Sequence, residues 1–62
     1  MPSELLTTRE AAGYLRLAIT TLEHWRLEGR GPAFQKMGRQ VRYRRTDVDR
    51  WLAEMNEGAT GR

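Results

Sequence analysis

The chain has 62 residues, with 11 lysines and arginines against 8 aspartates and glutamates, a net charge of +3, a sequence pI near 10.2 and no cysteine. A chain this short makes at most one domain and buries only about 60% of the surface its unfolded form exposes. With no cysteine and one histidine, neither disulfides nor a structural zinc site can reinforce the core, which must be hydrophobic alone.

Ten of the 11 cations are arginine, whose planar fork binds oxyanions bidentately, so phosphate recognition is favoured. The start, Met1-Pro2-Ser3-Glu4, lacks the basic-then-apolar pattern of a secretory signal, and no apolar run approaches the roughly 18 residues needed to span a bilayer. The expectation is a cytoplasmic, nucleoid-associated protein without membrane contact.

In chain order, Thr7 followed three residues later by Glu10 predicts a capping box, with Leu6 stapled onto the first turn. Ala11, Ala12 and Leu15 then share one helical face. This first helix is expected to end near Leu15, and a connector Arg16-Leu17-Ala18 leads to a second, in which Leu22 and Trp25 point inward. Gly29 stops that helix and Gly31-Pro32 prevents its resumption. From Phe34 the period changes to two: Val41 and Tyr43 alternate with Arg42 and Arg44, a strand with one apolar and one cationic side. With the run Phe34-Gln35-Lys36-Met37 it predicts a hairpin whose tip carries Arg39. Thr46 followed by Asp49 predicts the next helix start, and Val48, Trp51, Leu52 and Met55 repeat at helical spacing over about 11 residues.

The fold class expected is mainly α with a small β-hairpin: one domain over 1–62, ordered over about 5–56, with a frayed tail at 57–62. The predicted core is Leu6, Ala11, Ala12, Leu15, Leu22, Trp25, Phe34, Val41, Tyr43, Val48, Trp51, Leu52 and Met55. At this spacing the aromatic residues are assigned to packing rather than to base stacking.

Charge placement points to function. Residues 30–45 hold Arg30, Lys36, Arg39, Arg42, Arg44 and Arg45 and no acid. Such a cationic edge gains counterion-release free energy wherever it meets a duplex backbone. Arg30, Lys36, Arg39, Gln40, Arg42 and Arg44 are therefore the candidate wing and phosphate contacts, with Thr8, Arg9, Arg16 and Arg45 as further phosphate candidates. Two short helices joined by three residues have the size of a helix-turn-helix, whose second helix enters the major groove. That placement makes Ile19, Thr20, Thr21, Glu23, His24 and Arg26 the candidate base readers. Glu23 either accepts from a cytosine amine or repels phosphates and tunes register. No catalytic residue, metal ligand, cofactor or small-molecule effector is expected, because the chain offers no nucleophile–base pair and no phosphate-cradling glycine loop.

Five blocks, in order, carry a resemblance: Leu6-Thr7-Thr8-Arg9-Glu10-Ala11-Ala12-Gly13-Tyr14-Leu15; Thr21-Leu22-Glu23-His24-Trp25-Arg26; Gly31-Pro32-Ala33-Phe34; Val41-Arg42-Tyr43; and Asp47-Val48-Asp49-Arg50-Trp51-Leu52. Together they resemble the excisionase-type, MerR-like winged helix-turn-helix domain over roughly residues 5 to 55. The resemblance implies a recognition helix at about 19 to 27, a wing at 34 to 44 reaching an adjacent minor groove, and a role in mobile-element recombination or transcriptional regulation. The sequence departs from the family at Arg16, where glycine is usual, at Ala18, where a hydroxyl cap is common, and at Ile19, often basic or polar. Ile19 is thus expected either to touch a thymine methyl or to pack against protein.

The expected function is sequence-specific binding of double-stranded DNA as an excisionase or recombination directionality factor that binds and bends DNA cooperatively. The chain is expected to be a monomer in solution that self-associates on adjacent sites, because MerR-type regulators dimerise through a long helix and the chain ends soon after its third. The alternatives are a small MerR-like transcriptional regulator and an adaptor for an integrase or recombinase.

Overall fold

A computed structural model describes residues 4–59, with side chains to Met55. Among the described residues the order is β1 (Leu5–Leu6), α1 (Thr8–Leu15), α2 (Ile19–Glu28), β2 (Gln35–Met37), β3 (Gln40–Arg44) and α3 (Arg45–Ala59). Mainly helical with a small sheet, this is the architecture expected.

The capping box at the start of α1 is present: Thr7 Oγ1 accepts from the Glu10 N–H at 3.0 Å, and Glu10 Oε1 accepts from the Thr7 N–H at 2.9 Å. These two bonds satisfy donors that a helix start otherwise leaves open. The helix closes at Arg16, which adopts the left-handed conformation (φ 58, ψ 44). Its N–H donates to Gly13 O at 3.1 Å and that of Leu17 to Ala12 O at 2.8 Å, a Schellman closure. The turn therefore keeps the glycine geometry with an arginine in it, at a conformational cost of about 1 kcal/mol. Ala18 gives α2 no side-chain cap. The other end of α2 closes in the same way as α1, with Gly29 N–H donating to Arg26 O at 3.3 Å and Arg30 N–H to Trp25 O at 2.8 Å.

Three strands form the sheet, in the order β1-β3-β2 and antiparallel throughout. β1 is an element the sequence did not suggest: Leu5 pairs with Arg44 and Leu6 with Tyr43, so Leu6 enters the core from a strand rather than as a helix staple. The hairpin follows the expected alternation. Gln35, Lys36 and Met37 pair with Arg42, Val41 and Gln40 around a two-residue turn of Gly38 and Arg39. Gly38 has φ 63 at the first turn position, where a side chain is disfavoured.

The core is one cluster of Leu6, Ala11, Ala12, Leu22, Tyr43 and Val48, all under a tenth exposed, with Leu15, Ile19, Trp25 and Val41 packed around it. The near-complete burial of Ala11 and Ala12 reflects α1 lying close against its neighbours, as small side chains permit. Trp51 and Leu52 are half-buried, and the rings of Trp25 and Trp51 meet at 5.5 Å and 53°. Gly31 lies beneath this pair with φ 89, and a Cβ there would sit 3.2 Å from Trp25 Cε3.

Of the expected core residues, Trp51 and Leu52 are half-buried outside the cluster and two more are exposed. Phe34 is 40% exposed and Met55 52% exposed. Phe34 lies at the edge of the sheet, covering Tyr43 at 6.1 Å between ring centres from outside the cluster. Met55 is two turns beyond Val48, about 10 Å along the helix, where α3 has run past the small core. α3 begins at Arg45 and continues to Ala59, longer than the 11 residues expected. Of the expected frayed tail, residues 60–62 lie outside the described residues. Near the helix start, Asp49 Oδ1 accepts from the Tyr14 hydroxyl at 2.5 Å, tying α1 to α3. No described helix is long and apolar enough to cross a membrane.

Candidate nucleic-acid interface

Helix α2 divides into two faces. Ile19, Leu22 and Arg26, spaced i, i+3 and i+7, turn inward: Leu22 is buried and Ile19 packs against the core. Arg26, half-buried, donates through Nη1 to the Tyr43 hydroxyl at 3.1 Å and to Thr8 Oγ1 at 3.4 Å, with its guanidinium 5.7 Å from the centre of the Phe34 ring. Two expected base readers, Ile19 and Arg26, are thus turned away from the outer surface. Tyr43 explains the second, since its buried phenol needs a partner and the guanidinium provides one. Thr8, expected near phosphate, is half-buried and accepts from Arg26.

Thr20, Glu23 and His24 are exposed on the opposite face, and Thr21 is half-buried at its margin. Leu27 stands with them. It is 87% exposed, the most exposed of the large apolar side chains described, and the sequence did not single it out.

Cations flank this face on both sides. On one, Arg30 shares a shallow hollow with Thr20, Thr21 and His24. Its guanidinium lies over Trp25 at 5.6 Å and its Nε is 3.0 Å from Glu28 Oε1, while Glu28 Oε2 is 3.6 Å from His24 Nε2. On the other, an open crease of about 410 Å³ separates α2 from the hairpin, lined by Arg26, Leu27, Phe34, Lys36, Arg39 and Val41. Lys36 and Arg39 are exposed there, and neither makes an ion pair or hydrogen bond among the described residues.

The remaining wing cations lie elsewhere. Residues paired across antiparallel strands share a face of the sheet. Tyr43 and Leu6 point into the core, so Arg42, Arg44, Gln40, Gln35, Met37 and Leu5 occupy the outer face. Arg42 is held there, donating to Gln40 Oε1 at 3.0 Å and Val41 O at 2.8 Å; Arg44 is exposed and makes no ion pair or hydrogen bond with its side chain among the described residues. The hairpin therefore carries cations on both faces and at its tip rather than on a single edge. Arg9 and Arg16 are exposed on and just after α1. Arg45 lies 5.3 Å over the Tyr14 ring and 3.7 Å from Glu4 Oε1. Its pKa is raised above the ordinary arginine value, first by the Tyr14 hydroxyl and then by Asp49 and Glu4.

Such a surface suits an extended polyanion with readable edges: a narrow polar probe flanked by guanidinium and ammonium groups matches a groove flanked by phosphates. Among the described residues no group of three or more His, Cys, Asp or Glu side chains is placed to hold a metal ion. No curated protein matches the chain significantly. Residues 5–56 match the helix-turn-helix domain family, whose members are non-catalytic DNA-binding modules, and the hairpin between α2 and α3 supplies the wing. The chain belongs to this family of DNA-binding domains, in its winged form.

Proposed function

We propose that the domain binds specific sites in double-stranded DNA as an excisionase or recombination directionality factor, with α2 in the major groove and the wing tip at the adjacent minor groove. The observation that carries the two-groove grip is the crease between α2 and the hairpin, where exposed Lys36 and Arg39, without ion pair or hydrogen bond among the described residues, lie beside Leu27 of α2. A phosphate backbone between two grooves fits such a crease. Lys36 and Arg39 meet the phosphates at the edge of the minor groove, while Arg30 meets phosphate on the far side of α2. Glu28 competes for Arg30 in the free protein and yields it when phosphate is presented. Cations on both wing faces favour a bent duplex, because curvature brings more backbone to Arg42 and Arg44.

The recombination role rests on the five-block resemblance to excisionases. In that role the domain is nucleoid-associated, binds adjacent sites side by side and meets an integrase there. Sequencing the genomic fragments retained by the purified protein at defined salt tests this role. Clusters of sites beside attachment sequences support it, whereas isolated operators at promoters assign the domain to transcriptional regulation instead.

A further inference from the structure

We propose that Leu27 is a specificity-determining residue that reads the C5-methyl group of a thymine in the major groove. This rests on the DNA-binding reading of α2 and adds to it a residue and a base. The sequence offered Ile19 as the apolar reader, but Ile19 packs against the core. Leu27 is 87% exposed and shares the outer face with Thr20 and Glu23 at i, i+3 and i+7 spacing. Its surroundings define its partner. It lines the crease with the unpaired cations Lys36 and Arg39 and with the partly exposed Phe34, so whatever contacts Leu27 must also bring negative charge to the rim.

A duplex offers both at the required spacing. Phosphates lie along the groove edge, and in the major groove thymine is the base that presents an apolar group. Leu27 is seven residues from Thr20, about 10 Å along the helix, so it reaches a different base step from the one Thr20 reads. No described side chain covers Leu27, and burying a thymine methyl against it removes apolar surface from water on both partners.

Replacing thymine by deoxyuridine removes only that methyl, which makes the test direct. Each thymine of a duplex selected by the protein is exchanged in turn, and affinity is measured for the full chain and for Leu27→Ala. The wild-type chain should lose about three- to fivefold at one position, and Leu27→Ala should bind the thymine and deoxyuridine duplexes there equally. Both proteins should retain the same thermal transition, since Leu27 is 87% exposed and buries little apolar surface in the folded chain. Equal deoxyuridine sensitivity in both proteins overturns the inference, as does specific binding with no sensitive thymine. So does unchanged DNA affinity in Leu27→Ala. Failure to bind any duplex would overturn the proposed function itself, a result distinguishable from the others because it appears before any base is exchanged.

Discussion

The Arg26 guanidinium donates to the Tyr43 hydroxyl at 3.1 Å, joining the middle of α2 to the strand that carries the wing. A residue expected to read bases is thus a brace between α2 and β3 of the hairpin. Arg26→Ala should lower stability by about 1.5 to 3 kcal/mol, as for a hydrogen bond to a charged group. It should weaken all DNA sequences by a similar factor rather than relax discrimination at one base. Urea denaturation of Arg26→Ala, Tyr43→Phe and the double variant checks the brace, with a coupling energy of about 1 kcal/mol or more expected.

Lys36 and Arg39 lie on the crease without side-chain partners among the described residues, so their contribution to binding should be electrostatic and indifferent to sequence. A complex with about five phosphate contacts has a log–log salt slope near −4.5, and each contact removed reduces its magnitude by about 0.9. Lys36→Ala and Arg39→Ala should each produce a change of that size across unrelated duplexes. Titrating affinity against salt concentration for two unrelated sequences measures it.

The connector between α1 and α2 is less stable than its geometry allows. Arg16 adopts φ 58, and its replacement by glycine should stabilise the domain by up to about 1 kcal/mol, since the native turn already has the conformation glycine tolerates. Ala18→Ser should add about 0.5 to 2 kcal/mol by capping α2. A raised midpoint in thermal denaturation is the expected result for each.

Gly31 is constrained twice, by φ 89 and by Trp25 Cε3 at 3.2 Å from the position of a Cβ. Gly31→Ala should cost about 1 to 3 kcal/mol, a large fraction of the stability of so small a domain. Loss of the Trp25–Trp51 contact should appear as a change in tryptophan fluorescence at temperatures where the wild-type chain is fully folded.

Residues 7 to 15 and 40 to 44 show why most of the fold was legible. Thr7 and Glu10 form a local capping signal, and the alternation of Val41 and Tyr43 with Arg42 and Arg44 needs only a two-residue period. Each is decided by neighbours in sequence. β1 was not legible because Leu5–Leu6 is too short to show any period. Nor were the inward turn of Ile19 and Arg26 and the exposure of Leu27 on α2, since apolar residues are distributed around the helix, and which of them is exposed depends on where Tyr43 and Phe34 lie. The Tyr14–Asp49 hydrogen bond spans 35 positions and competed with a plausible local role for Asp49 as a cap. Counting cations revealed the basic segment, but only the strand register separates Lys36 on the crease from Arg42 and Arg44 on the outer face.

The two-groove grip is tested most directly by methylation interference on a selected duplex, because one reagent marks guanine N7 in the major groove and adenine N3 in the minor groove. The account predicts guanine interference where α2 lies and adenine interference under the wing about half a helical turn away, about five base pairs. Interference confined to a single groove, with the wing variants Lys36→Ala and Arg39→Ala leaving the pattern and the salt dependence unchanged, would contradict it.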